Sequence, residues 1–450
     1  MANSLNQLER RSIAALASIY ALRMYGLFLL LPVLVIYAEQ LDGATPMMMG
    51  LALGIYGITQ AILQIPFGAL SDRFGRKPLI IFGLGLFALG SLVAAFANSI
   101  EGVVLGRALQ GAGAIASVVL ALTSDLTREN QRSKAMAIIG VSIGGAFVLA
   151  MITAPVLEFW IGVSGLFLMT GLLAVAAMLL VIKAVPTPVV SRNLDVKPIP
   201  AKMLELLQDA DLLKLDLGIF ALHMLLTAMF VVVPVVLLEG LDLEISSHWR
   251  VYLPALLWSL PVMAIAIRVA KTGARTKWVF CFAIALLFAA VAMFLWGPSN
   301  LNLAIITLAV FFSGFNTLEA LLPSLVSRLA PAGAKGSAMG VYNTFQFMGI
   351  FAGGLIGGML FGEFGVRAVF VLLLLMLLAW GWLSYRQSAF ELYDAMTIKL
   401  AADYQHNCAD QIRQIRGVKD VMIFAGEDIA YLKVDKALLD QASLQRFATD

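Results

Sequence analysis

Along most of the chain, apolar residues do not alternate with polar ones but come in long unbroken runs. They lie near 13–38, 47–70, 79–97, 101–124, 134–157, 163–183, 216–238, 249–269, 278–296, 302–327, 336–361 and 365–385. Each run is close to the ~20 residues that cross ~30 Å of hydrocarbon as a helix. In lipid only helices and closed barrels satisfy every backbone group, so the pattern predicts twelve membrane-spanning helices. The first run follows Arg10 and Arg11 as a leader peptide would. Its length, the Arg23 inside it and the spans that follow read instead as an uncleaved anchor.

Composition agrees with this reading. Of 450 residues 61% are hydrophobic and 13% charged, and the mean hydropathy is +0.91. A soluble domain carries about a quarter charged residues, which excludes an ordinary soluble enzyme, a disordered chain and a nucleic-acid-binding protein. Cys281 and Cys408 lie in unrelated contexts, so no disulfide framework is expected. The net charge of +3 becomes informative through its placement. Arg73, Arg76 and Lys77, then Arg128, Arg132 and Lys134, then Arg268, Lys271, Arg275 and Lys277, then Arg328 and Lys335 fall in alternate loops. The intervening loops hold Glu39, Asp42, Glu101, Glu158, Glu239, Asp242, Glu244 and Glu363 with only Arg250 and Arg367. The positive-inside rule then places both termini in the cytoplasm of a multi-pass plasma-membrane protein.

The longest connection divides the spans six and six. The expected organisation is a six-helix bundle over 1–185, a cytoplasmic linker over 186–212, a second six-helix bundle over 213–387 and a small domain over 388–450. Within the linker, 201–207 could form a short amphipathic surface helix. The halves echo each other: Ser124 with Ala135-Met136 recurs as Ser327 with Ala338-Met339 at an offset of 203 residues, and Gly111 falls on Gly314. Such spacing suits a parallel repeat of two bundles. In the tail, strand 393–400, helix 409–415, strands 418–424 and 428–434 and helix 438–447 give a β-α-β-β-α order. A cytoplasmic ferredoxin-like domain with its last strand missing is predicted.

Between the second and third spans stands Gly68-Ala-Leu-Ser-Asp72-Arg73-Phe-Gly75-Arg76-Lys77. Gly68 and Gly75 permit close helix approach and a tight turn, and one carboxylate stands among three cations. The fourth span contains Leu105-Gly-Arg107-Ala-Leu-Gln110-Gly111-Ala-Gly113, and the fifth has Gly140, Gly144, Gly145 and Ala154-Pro155. The loop segment resembles, position for position, the signature of the major facilitator superfamily. The fourth-span segment resembles that family's membrane-embedded arginine motif, linked there to proton coupling. The fifth-span segment departs from the Gly-Pro-x-x-Gly-Gly ending of proton-driven exporters. With Phe315-Asn316-Thr-Leu-Glu319 and the tail, the chain is similar to the YajR-type inner-membrane transporters, which resemble drug:proton antiporters. The resemblance implies the twelve-helix all-α membrane fold of two six-helix bundles plus the small α+β tail. It also implies contacts of the Asp72 loop that join the halves when the cytoplasmic side is shut.

Ionisable side chains in hydrocarbon cost at least ~2.5 kcal/mol at a helix centre and so mark function by default. Arg23, Arg107, His223 and Glu319 qualify. Each arginine could equally tie helices together through a carbonyl or carboxylate. Asn316 shares a face with Glu319, and Glu319 is expected to take up and release a coupling proton or, alternatively, to bind substrate or join spans. Tyr56, Gln60 and Gln64 share a face of the second span, as do Tyr342 and Gln346 of the eleventh; with Gln110 these either line a cavity for an amphipathic substrate or glue helices. Asp125 is expected to pair with Arg73 or Arg76, and Asp72 to meet the N-terminus of the eleventh span near Gly336, where the helix dipole favours an anion.

Only three histidines (His223, His248, His406) and no phosphate-cradling loop are present, so neither an enzyme nor a metal site is expected, and no cofactor beyond the proton. The reading is a monomeric secondary transporter in lipid, working by alternating access and exporting a small molecule against proton entry. The alternatives are an importer or uniporter, or a non-transporting membrane sensor. The tail is expected to serve a cytoplasmic ligand or protein.

Overall fold

The computed structural model describes residues 5–187, 205–332, 334–390, 393–401, 408–423, 429–435 and 438–448. Ten described helical segments are long and apolar enough to cross a membrane. One, Lys134–Ala184, holds two spans, and the charged first helix supplies another, so twelve spans form two six-helix bundles. The predicted surface helix over 201–207 lies mostly outside the described residues.

The first bundle comprises α1 (Gln7–Phe28) and α2 (Leu34–Ala38), α3 (Pro46–Phe74), α4 (Arg76–Ala95), α5 (Ile100–Ala112) and α6 (Ala116–Asp125), and α7 (Glu129–Ala184). Two spans predicted as continuous are broken. Residues 29–33 separate α1 from α2, and 113–115 separate α5 from α6. The fifth and sixth spans are instead joined with a single kink at Gly162, whose φ of 66° only glycine adopts freely. The second bundle comprises α8 (Ala210–Val235), α9 (Trp249–Val269), α10 (Gly273–Trp296), α11 (Leu301–Leu329), α12 (Lys335–Phe364) and α13 (Val366–Arg386). Below, the basic end is the end of the molecule carrying the Arg- and Lys-rich loops, and the acidic end is the opposite one.

The tail contains β1 (Asp394–Lys399), α14 (Ala409–Arg413), β2 (Val418–Ile423), β3 (Ile429–Val434) and α15 (Gln441–Gln445). The sheet order is β1-β3-β2, antiparallel throughout, as in a ferredoxin-like sheet without its last strand. An isolated antiparallel bridge between Leu400 and Ala448 flanks the end of β1. Alternation along the strands turns Ile398, Val421, Ala430, Leu432 and Val434 into a small core with Ile412 and Leu444. The opposite face carries Thr397, Tyr431, Lys433 and Asp420.

At the basic end one ion pair fixes the start of the chain. Glu9 closes a capping box with Asn6 and is 1% exposed. Its carboxylate accepts from Arg128 Nε and Nη2, each at 2.9 Å, and from the Arg128 backbone N–H at 3.0 Å. These bonds from Arg128 hold the Glu9 carboxyl down at about 2. A carboxyl depressed on folding contributes stability that is present above its ordinary pKa and is lost as pH falls through the folded value. Glu9→Gln should therefore lower the melting midpoint in detergent at pH 7 by the equivalent of about 1–3 kcal/mol. The gap to wild type should shrink between about pH 4.5 and about pH 2; a gap as large at pH 3 as at pH 7 would contradict this.

Candidate functional site

The two bundles meet along α3 and α12, which run antiparallel. At the acidic end glycines set the approach. A Cβ built on Gly50 would lie 2.1 Å from the Gly354 carbonyl oxygen, one on Gly57 2.5 Å from that of Phe347, and one on Gly354 2.4 Å from that of Gly50. Small residues let backbones come this close, and dispersion replaces the hydrophobic drive that lipid lacks. Further along, Gln64 Nε2 donates to Thr344 Oγ1 at 2.9 Å across the seam. Beyond Gln64 the helices separate, and a cavity of about 2070 Å³ opens toward the basic end.

Its walls come from both bundles. Tyr20, Tyr56, Gln64 and Arg107 line one side, His223, Asn316, Glu319, Tyr342 and Gln346 the other, and Asp72, Arg76, Arg132, Arg328 and Lys335 the mouth. Most of the remaining lining is apolar, with Met24, Met136, Met263 and Met339 and the rings of Phe147, Phe315 and Phe347. Flexible thioethers and aromatic faces adapt to varied apolar shapes. Gly140, Gly144 and Gly145 of α7 also face this space, and a Cβ on any of them would meet nothing within 4 Å.

The two buried arginines are held by backbone. Arg107 Nε donates to Ala52 O at 3.1 Å, Nη2 to Leu53 O at 3.3 Å and Nη1 to Gln110 Oε1 at 2.8 Å, and the guanidinium sits 4.8 Å from the Tyr56 ring centre. Gln110 passes the chain on to Ser91 Oγ at 2.9 Å. Arg23 Nη2 donates to Gln60 Oε1 at 2.9 Å and to the Gly113 carbonyl at 3.1 Å. That carbonyl lies where α5 breaks, and a broken helix in lipid needs such a donor. Gln60 is thus turned to Arg23 and is not among the cavity lining, unlike Tyr56 and Gln64. Nε and Nη1 of Arg23 have no hydrogen-bond partner among the described residues.

On the opposite wall the polar groups form a different cluster. His223 Nε2 lies 2.8 Å from Gln346 Nε2 and 3.8 Å from Glu319 Oε2, and Gln346 Nε2 reaches Glu319 Oε1 at 3.5 Å. Asn316 Nδ2 donates to Ser259 Oγ at 2.9 Å. Glu319 Oε2 and the Tyr342 hydroxyl are buried without a hydrogen bond among the described residues. Asp216 is a second buried carboxylate in this bundle, one that the run of apolar residues does not set apart as it does Glu319. Asp216 is 3% exposed, and its Oδ1 has no hydrogen-bond partner among the described residues. Its signal was the seven-residue spacing to His223, two turns along one helix face.

At the mouth, Arg76 joins the loop elements. It meets Asp72 Oδ1 at 2.6 Å, Asp125 Oδ2 at 3.2 Å and the Ser71 hydroxyl. Of the two arginines considered for Asp125 it is Arg76 that reaches it, while Arg73 lies over the Phe74 ring. Lys77 Nζ donates to Val185 O at 2.8 Å. Gly75 makes the turn with φ 93°. Gly68 differs from expectation: a Cβ there would meet Ser117 Oγ at an ordinary 3.5 Å, so no close helix approach depends on it.

Residues 16–354 match the family model described as Major Facilitator Superfamily. The chain belongs to that superfamily. It is 40% identical over 443 residues to the Inner membrane transport protein YajR of Escherichia coli (strain K12), covering 97% of each chain. It is 27% identical over 343 residues to the Multidrug resistance protein MdtH of Aeromonas hydrophila, covering 74% of this chain and 82% of the relative. The fold also matches the structure of a bacterial homologue of the human lysosomal transporter Spinster in an inward-facing and occupied conformation, at a TM-score of 0.69 and 13% identity over 86% of this chain and 98% of that one. This family member is therefore a multi-pass membrane transporter with the YajR-like tail.

The glycine seam makes a direct test. Gly50→Val must displace the α12 backbone, whereas Gly85→Val meets nothing within 4 Å. The first should lower the melting midpoint by the equivalent of about 1–3 kcal/mol and the second should leave it within a degree or two. Equal effects would contradict the close packing of α3 on α12.

Proposed function

We propose that this transporter works by alternating access and exports a small amphipathic molecule against proton entry, with Glu319 as the group that carries the proton. The observation that supports the reading is the position of Glu319: a carboxyl in the wall of the membrane cavity, with Oε1 near Gln346 and Oε2, which has no hydrogen bond among the described residues, 3.8 Å from His223. A carboxyl that can shed its proton into the cavity, and hold it once the cavity is sealed, couples the two fluxes. The multidrug-resistance name of the MdtH relative and the Met- and Phe-rich lining favour an amphipathic substrate. The basic end is taken as cytoplasmic, with both termini there, in a bacterial inner membrane. Import or uniport of a small solute, and ligand sensing without transport, are the competing readings.

The test uses everted membrane vesicles and ethidium as probe. Wild type should accumulate the dye when the lumen is acid and lose it when the pH gradient is collapsed. Glu319→Gln should lose at least tenfold of the driven accumulation while retaining exchange of preloaded dye. Driven accumulation unchanged in Glu319→Gln would remove Glu319 from proton coupling. Dye movement indifferent to the gradient in wild type would favour uniport, and no movement would favour sensing.

A further inference from the structure

The tail does not hang free of the membrane bundles. Its helix-free sheet face lies against the basic end, and Met396, Thr397, Tyr431, Leu432 and Lys433 line the mouth of the cavity. The polar contacts fall on one short stretch, the end of α11 and the turn that follows it. Lys433 Nζ donates to the Leu329 carbonyl, at the C-terminus of α11. Asp420 Oδ2 accepts from the Ala332 backbone N–H at 3.0 Å, in the turn that leads into α12. Arg328 Nη2 lies 3.7 Å from Asp394 Oδ1. Asp420 and Lys433 are direct cross-strand partners in the β2–β3 pairing, so they reach the turn from one face as a unit.

Their signs match what they touch. A helix C-terminus carries partial negative charge and attracts a cation, and the approach to a helix N-terminus attracts an anion. The Asp420 carboxylate is also pinned within the tail, accepting from the Val421 N–H at 2.9 Å and facing Arg413 at 3.7 Å. Lys433 is half-buried against the bundle, and this burial pushes its ammonium below the ordinary lysine range. One aromatic contact adds to the clip, since Phe390 packs on Phe280 with centroids 6.0 Å apart.

The same turn borders the mouth, which Ala330, Pro331 and Ala332 line. Asp72 on α3, paired with Arg76, and Lys335 and Gly336 at the start of α12 all line the cavity at its mouth. The N-terminus of α12 is the dipole end toward which Asp72 is expected to move when the bundles close. We propose that the tail is a clip on the cytoplasmic gate: Asp420, presented with Lys433, holds the α11–α12 turn in place of Asp72, so the tail must release that turn before the mouth can shut. The clip makes no demand on the substrate or the coupling ion, and its failure would leave the proton proposal untouched.

The experiment is pulsed electron–electron distance measurement on the full chain in nanodiscs, with Cys281→Ser and Cys408→Ser as background. Labels at Lys134→Cys and Lys271→Cys, both exposed at the basic end, report the mouth. Labels at Lys419→Cys and Lys271→Cys report tail docking. With the native tail the mouth distance should be mainly long and the docking distance narrow. Asp420→Asn with Lys433→Gln should broaden the docking distance and raise the short-mouth fraction at least threefold. Asp420→Glu, which keeps the charge, should resemble the native tail. Adding Asp72→Asn to the released tail should cancel the rise. A tail that stays docked in the double variant, a released tail with an unchanged mouth, or a rise indifferent to Asp72→Asn would each overturn the proposal.

Discussion

The close approach of α3 to α12 is the contact on which the rest of the structure depends. Helices in lipid gain no hydrophobic advantage by meeting, so they hold together through shape and through the few polar bonds that span them. Gly50, Gly54 and Gly57 against the α12 backbone provide that shape at the acidic end, and the Gln64–Thr344 bond closes the seam. Everything beyond this point follows from its being one-sided. A pair of bundles joined at one end encloses a cavity that opens at the other, and the wall residues face the solvent that enters there.

The polar side chains inside the membrane are sorted between the bundles. Arg23 and Arg107 in the first bundle take backbone carbonyls and glutamine oxygens, and their hydrogen bonds include no carboxylate among the described residues. Glu319 and Asp216 stand in the second bundle with His223, Tyr342 and Gln346. Arg107 lines one wall and Glu319 the other, and charges of opposite sign held apart in a low-dielectric wall are costly. Gln64, Arg132, Glu319, Arg328 and Tyr342 each bring to that cavity a buried polar atom without a hydrogen bond among the described residues.

Much of this was readable from the chain. Run lengths fixed the spans because lipid enforces one element length, and loop charges distinguished the ends. Gly75 was recognisable as a turn and Glu319 as an anomaly. What escaped notice depends on neighbours distant in sequence. The break after α5 is stable because Arg23 comes from another span to satisfy Gly113, so the apolar run 101–124 concealed it. Gly68 looked like a packing glycine beside Gly75, yet only the position of Ser117 shows that it has room. Asp216 sat at the edge of a predicted run, and its burial is decided by the packing of α8 on α12. The sheet face that clips the α11–α12 turn could not be foreseen, because an Asp–Lys pair across two strands looks like any solvated surface pair.

The central claim is that one cavity in the membrane is reached from one side at a time. The most direct measurement is modification of Asn343→Cys, on the cavity wall, by a membrane-impermeant maleimide, with both native cysteines replaced. The reagent is applied to right-side-out and to everted vesicles. The account predicts rapid modification from the side of the basic end and at least tenfold slower modification from the side of the acidic end. Comparable rates from both sides would mean a continuous pore, no reaction from either would mean a sealed bundle, and either result would contradict it.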